Sequence, residues 1–158
     1  MKVTKQFKME VAHRLVSSYS KKCQSIHGHS YLMEVTLESE HLNDDAMVMD
    51  FGEVKDKMNG FFESFDHSLI VYEKDIMLPL VMQIESLLHI RLMVVDYNPT
   101  AEGMAHHVFR EMINQKLPVV EVRVQETLTG WAIADRPKPF YGESVKYYNI
   151  PERFRHAL

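Results

Sequence analysis

Residues 2–12 alternate in polarity, with Val3, Phe7, Met9 and Val11 on one side, so the spacing predicts a β-strand whose face His13 continues. Residues 13–28 carry Ser, Lys and Gly and read as a loop. Alternation resumes at His29, with Tyr31, Met33, Val35 and Leu37 on the side that also carries His27 and His29. A second strand antiparallel to the first is expected, its start lying beside the end of strand one. Asp50 suits a helix N-cap, with Glu53 three residues on. Phe51, Val54, Met58, Phe61, Phe62 and Phe65 recur at helical spacing, which predicts an amphipathic helix over 51–65 with an aromatic core stripe.

Residues 73–98 read as an insertion with a short helix, because Pro79 interrupts an apolar stretch and Leu92 to Val95 suggest a short extended piece. Asn98-Pro99-Thr100 stops one element and starts the next, since the residue before a proline avoids helical geometry and Thr100 is a good N-cap. Met104, Val108, Met112 and Ile113 mark the buried face of this second helix, and Pro118 ends it. Val120, Val122, Val124 and Glu126 alternate in a third strand, Gly130 marks a turn, and 131–135 form a short fourth strand. The expected order is β-β-α-α-β-β, a single α+β domain over 1–135. The tail over 136–158 holds Phe140, Tyr141, Tyr147, Tyr148 and Phe154, too aromatic for a free appendage, and is expected to pack on the body or on a neighbouring subunit.

A chain of 158 residues suits one domain with a real core. The formal net charge of -4 argues against sequence-independent nucleic-acid binding, which needs a basic face. No apolar run approaches the roughly 20 residues of a membrane span, and the alternating N-terminus lacks a signal-peptide core. Cys23 is the one cysteine, so no intrachain disulfide can form and a reducing cytoplasm is the expected location.

Candidate chemistry concentrates in Cys23-Gln24-Ser25-Ile26-His27-Gly28-His29 and the earlier His13. In an extended strand, residues two apart point to the same face, so His27 and His29 converge. His13 from the neighbouring strand makes three nitrogen ligands with a fourth position open, the arrangement of a catalytic zinc. Cys23 then lies close enough to act on what the metal holds. Glu126, between alternating valines, is out of place unless paired. His41, His89, His106, His107 and His156 lack ligand spacing and read as surface or packing residues.

Taken in order, His13, the Cys23–His29 segment, Asp66-His67, Pro99-Thr100-Ala101-Glu102 and Glu126-Thr127 resemble the 6-pyruvoyl tetrahydropterin synthase / 6-carboxytetrahydropterin synthase family over residues 1–135. The four-residue step from Cys23 to His27 is similar to the bacterial carboxytetrahydropterin branch, which serves queuosine and other deazapurine pathways. The resemblance implies a tunnelling fold: a four-stranded antiparallel sheet with two helices, in homo-oligomers of trimers stacked into hexamers, with active sites between subunits. It also implies His13, His27 and His29 as zinc ligands, Cys23 as proton acceptor, His67 as its relay partner with Asp66 alongside, and Glu126 as anchor of the pterin and member of the relay. Thr100 and Glu102 are expected to contact the pterin, although helix capping and the helix dipole also account for them. The chain departs from the pattern at Ser68-Leu69-Ile70 after the Asp-His pair, at Gly103 where Asn is common, in the long 73–98 stretch and in the tail.

The reaction implied is conversion of 7,8-dihydroneopterin triphosphate to 6-carboxy-5,6,7,8-tetrahydropterin, with release of acetaldehyde and triphosphate. Two alternatives stand beside it. One is the pyruvoyl reaction, which loses only triphosphate; the other is a non-catalytic zinc-stabilised module in which Cys23 closes the site as a fourth ligand.

Overall fold

The computed structural model describes residues 1–136, 138 and 141–152. Two long strands, β1 (Lys2–His13) and β2 (His27–Glu38), pair antiparallel from Lys2↔Glu38 to His13↔His27 with no break in register. A loop with a 3-10 turn over Lys21–Gln24 joins them. The rest of the chain runs α1 (Phe51–Phe65), β3 (Ser68–Tyr72), α2 (Leu78–Leu88), β4 (Leu92–Val95), α3 (Ala101–Asn114), β5 (Val119–Thr127), β6 (Gly130–Ala134) and β7 (Lys146–Tyr148). These strands form one seven-stranded sheet in the order β6-β5-β2-β1-β3-β4-β7.

The expected four antiparallel strands are present as β6, β5, β2 and β1, but the sheet does not stop there. After α1 the chain returns as β3, parallel to β1, and after α2 it returns again as β4, parallel to β3. The four-stranded, two-helix expectation is therefore corrected to a mixed sheet of seven strands with three α-helices among the described residues. The reason lies in burial. Ile70, Met93 and Val95 face the main core, whereas Val71, Leu92 and Val94 pack with Val81 of α2 on the opposite side. Covered on both faces, these strands are continuously apolar and lack the period-two signature that marked β1 and β2. The short helix and the short extended piece expected over 73–98 are α2 and β4, the second half of a β3-α2-β4 unit.

Helices α1 and α3 contribute to the main core, which joins Met9, Val11, Tyr31, Met33 and Val35 of the long strands to Met58, Phe61 and Phe65 of α1 and Met104, Val108 and Met112 of α3. Asp50 caps α1 by accepting the Gly52 N–H at 2.6 Å, and Thr100 caps α3 by accepting the Gly103 N–H at 3.2 Å. Two residues assigned to buried stripes lie outside: Ile113 is 45% and Phe51 46% exposed. Each sits at a helix end, Phe51 at the first position of α1 under the Lys5 ammonium, where the stripe has already turned away from the sheet. Gly103 has a packing cause, since a Cβ there would stand 2.6 Å from the Tyr97 ring.

In the tail, the Asp96 carboxylate accepts the backbone N–H groups of Gly142, Glu143 and Ser144, each at 2.9 Å. Tyr141, Val145 and Tyr147 pack against the main core, and β7 adds antiparallel to β4. Phe140, Phe154 and His156 lie outside the described residues. His107 is buried against Phe61, Phe65 and Tyr97, its Nδ1 2.8 Å from the Tyr97 hydroxyl. Gly142 is left-handed, at φ +75°, and so close that a Cβ would stand 2.2 Å from the His107 ring.

Burial pushes the His107 pKa down from 6.5 to about 4; nearby Asp96 works against this and Arg110 with it. The unfolded chain therefore holds more protons than the folded one between these two values. The stability that neutral His107 confers is present above about pH 6.5 and is lost as pH falls toward about 4. Urea midpoints should fall more steeply on acidification in the native chain than in His107→Gln. Parallel pH curves for the two proteins would contradict this assignment.

Candidate active site

Unbroken β1–β2 pairing sets His13 directly opposite His27 and Val11 opposite His29. Alternation then turns the three imidazoles to one face, continuous with Met9 and Tyr31. Their ring centroids are 4.6, 5.3 and 4.9 Å apart, and one nitrogen from each lies within 4.8 Å of the others. His13 is fully buried, while His27 and His29 keep partial access to solvent.

Two carbonyls orient the rings. His13 Nδ1 is 2.7 Å from the Pro99 oxygen and His27 Nδ1 is 2.8 Å from the Ser25 oxygen. A carbonyl can only accept, so each Nδ1 carries the proton and each Nε2 keeps its lone pair. Burial lowers the His13 pKa, against the pull of the Pro99 carbonyl and Glu126, so its ring is held neutral. Its Nε2 is buried with no hydrogen-bond donor. A neutral imidazole with an orphaned, inward-facing lone pair, beside two more imidazoles, is the donor set a divalent metal ion needs. These residues fit such an ion.

Glu126, near the end of β5 where pairing with β6 becomes irregular, completes the surroundings. Its Oε1 accepts the Tyr31 hydroxyl at 2.9 Å and lies 3.6 Å from His13 Nε2 and 3.9 Å from His29 Nε2. Glu126 also lines a hollow of about 410 Å³ with Thr100, Glu102, Ser17 and Trp131, so three sequence-predicted substrate residues share one concavity. The Asn98-Pro99-Thr100 turn supplies both the His13 carbonyl and the α3 cap, and its Asn98 side chain accepts the Val16 N–H at 3.0 Å.

Cys23 is half-buried in the 3-10 turn, its carbonyl accepting the Leu15 N–H at 2.8 Å. The converging ligand set consists of the three imidazoles and does not include its thiol. Asp66 and His67 do touch, Oδ2 to Nδ1 at 2.7 Å. Adjacent residues point apart in a strand, but here α1 has just ended and His67 takes φ 57°, which swings the two side chains together. Glu10 ties the pair to β1, its N–H donating to Asp66 Oδ1 at 2.8 Å and its carbonyl accepting the His67 N–H at 2.7 Å. The exposed His67 lines a second hollow, of about 610 Å³, with Glu10, Ala12, Gly28, His29 and Arg91. By strand alternation, Glu10, Ala12, Gly28 and Ser30 point to the face opposite the imidazoles. Among the described residues, one chain clusters His13, His27 and His29 beside Glu126, sets Glu126 in one hollow with Thr100 and Glu102, and places His67 in another hollow that His29 also lines.

Three contributors carry no mark in the sequence pattern. Tyr31 reads as one more core position in the alternation, although the His27-Gly28-His29-Ser30-Tyr31 spacing does put it on the imidazole face. The Ser25 and Pro99 carbonyls are backbone groups and leave no mark in residue type.

Fold and site together define an α+β protein with an imidazole centre able to hold a metal ion. The family model for 6-pyruvoyl tetrahydropterin synthase matches residues 2–137, and the chain belongs to that family. The 6-carboxy-5,6,7,8-tetrahydropterin synthase of Rickettsia bellii is 34% identical over 133 residues, which are 80% of this chain and 94% of the relative. The enzyme of the same name from Aquifex aeolicus is 32% identical over 154 residues, covering 82% and 94%. Among solved structures, an uncharacterized protein from Wolinella succinogenes superposes with a TM-score of 0.73 at 21% identity, over 86% of this chain and 98% of that one. The 6-pyruvoyl tetrahydropterin synthase of Caenorhabditis elegans gives a TM-score of 0.64 at 20% identity, over 86% and 95%. At these identities the structures speak for the fold alone.

Removing one imidazole should abolish tight metal binding, whereas the thiol should be dispensable for it. His13→Ala should lose more than the roughly 10–100-fold in affinity that outer-shell partners carry, as measured by zinc content and cobalt titration. Cys23→Ala should retain one metal per chain at native affinity. A large loss in Cys23→Ala would contradict the three-nitrogen site.

Proposed function

We propose that this protein converts 7,8-dihydroneopterin triphosphate and one water to 6-carboxy-5,6,7,8-tetrahydropterin with release of acetaldehyde and triphosphate, as a zinc-dependent carbon–oxygen lyase of cytoplasmic deazapurine (queuosine) biosynthesis. The observation that carries the proposal is the cluster of three imidazoles opening beside Glu126, in a chain whose family and relatives are tetrahydropterin synthases. Zinc held by His13, His27 and His29 would supply a Lewis acid to stabilise charge developing on side-chain oxygens of the substrate. The relatives' names and the four-residue Cys23–His27 step favour the carboxy product over the pyruvoyl one.

The remaining roles follow from the chain's own groups. A pterin presents an amino group and a ring N–H side by side, and a carboxylate matches that edge with two parallel hydrogen bonds. Glu126 faces the right hollow for this, and a carboxylate has about four acceptor sites, so the Tyr31 contact leaves room for the pterin. Thr100 and Glu102 border the same hollow and would contact the ring. Cys23 Sγ would take the proton from the substrate side chain. Asp66 Oδ2 fixes the His67 proton on Nδ1, leaving Nε2 to exchange a proton with a thiol. Cys23 is not among the residues that line the His67 hollow, so the Asp66–His67 pair would serve the Cys23 of a neighbouring subunit in a homo-oligomer, in line with the between-subunit sites that the family resemblance implies.

Anaerobic incubation of zinc-loaded protein with 7,8-dihydroneopterin triphosphate, followed by mass spectrometry, should yield carboxytetrahydropterin and acetaldehyde. Cys23→Ala and His67→Ala should each lose at least about 100-fold in turnover with metal retained, the order that a positioned proton-transfer group contributes. Oligomers reassembled from both variants should recover part of that activity. Pyruvoyltetrahydropterin as sole product would move the chain to the alternative reaction, and no turnover with metal bound would overturn the proposal.

A further inference from the structure

Tyr31 lies two positions beyond His29 on β2, its ring 5.5 Å from that of His29 and 6.0 Å from that of His13. The side chain is 1% exposed, and its hydroxyl has two polar neighbours: Glu126 Oε1 at 2.9 Å and His13 Nδ1 at 3.5 Å. The His13 Nδ1 proton is committed to the Pro99 carbonyl at 2.7 Å, so the hydroxyl spends its own proton on Glu126.

The oxygen that Tyr31 holds is the one nearest the imidazoles, 3.6 Å from His13 Nε2 and 3.9 Å from His29 Nε2. Ligands of a tetrahedral zinc, with bonds of about 2.0–2.1 Å, stand about 3.3–3.4 Å apart. Glu126 Oε1 therefore stands a few tenths of an ångström beyond that spacing from His13 and His29, and is held outside the converging group that the three imidazoles form. Carboxylates are ordinary zinc ligands, and a set of three nitrogens and this oxygen would fill the tetrahedron and leave no position for substrate.

We propose that Tyr31 is a positioning residue whose hydroxyl restrains Glu126 from closing the metal centre. Competing for Oε1, it keeps the fourth position free and the carboxylate turned to the hollow lined by Thr100 and Glu102. The inference rests on the reading of His13, His27 and His29 as metal ligands, and not on the identity of the substrate.

Tyr31→Phe removes the hydroxyl and keeps the ring. Cobalt titrated into the full chain, followed by its visible absorption, gives affinity and ligand environment without any turnover. Tyr31→Phe should bind cobalt at least about tenfold tighter, within the range over which outer-shell partners act, with a changed visible spectrum. The gain and the spectral change should vanish in Tyr31→Phe/Glu126→Gln. Glu126→Gln alone should bind cobalt like the native chain, because Tyr31 already holds the carboxylate away. Unchanged or weaker binding by Tyr31→Phe would overturn the proposal, and so would a gain that survives Glu126→Gln. The Glu126→Gln measurement leaves Tyr31 in place and is decisive even if Tyr31→Phe does not fold: a large loss of affinity there would show that Glu126 is already a ligand. Native protein that follows this pattern but turns over no pterin would contradict only the proposed reaction.

Discussion

The site depends on the register between β1 and β2. Twelve residues of each strand pair without a bulge, and the last pair is His13↔His27. A slip of one residue would send every side chain of one strand to the other face, parting His13 from His27 and His29 and turning Met9 and Val11 out of the core. The apolar alternation that builds the core therefore also aligns the ligands. Burial of Met9, Tyr31, Met33 and Val35 penalises any register that would scatter the imidazoles.

Around this pair the structure adds direction. The Pro99 and Ser25 carbonyls set the tautomers of two histidines, and the turn that offers Pro99 also begins α3 through Thr100. Packing of α3 on the sheet is thus coupled to the orientation of His13, and a disturbance of the helix reaches the imidazole cluster through one peptide group. On the far edge, β3, α2 and β4 widen the sheet, and Asp96 draws the 142–144 loop onto the body beside His107. These additions leave the imidazole face open and carry Asp66 and His67 at the junction of α1 and β3.

The half-exposed pairs were the legible part of the sequence. β1, β2 and β5 alternate because one face is core and the other solvent, and α1 and α3 show their caps and stripes. β4 showed as the short extended piece Leu92 to Val95, but β3 carries no period, because Leu69-Ile70-Val71 packs on both sides. The sheet was therefore read too narrow. Of the site, the three histidines converge as their spacing suggested, whereas Glu126, Thr100 and Glu102, singled out by the family resemblance, line one hollow. The Asp66–His67 contact depended on a left-handed backbone at His67 that no residue type announces. Tyr31 was hidden because an aromatic in an alternating strand looks like packing until its hydroxyl partner is seen.

The account stands on three imidazoles, and no thiol, binding an ion with one position to spare. X-ray absorption at the zinc edge of the zinc-loaded native chain measures this directly. The account predicts three nitrogen scatterers and one further light-atom ligand, all near about 2.0–2.1 Å. A sulfur shell near about 2.3 Å would place Cys23 in the coordination sphere, close the site and contradict the reading of this protein as a lyase.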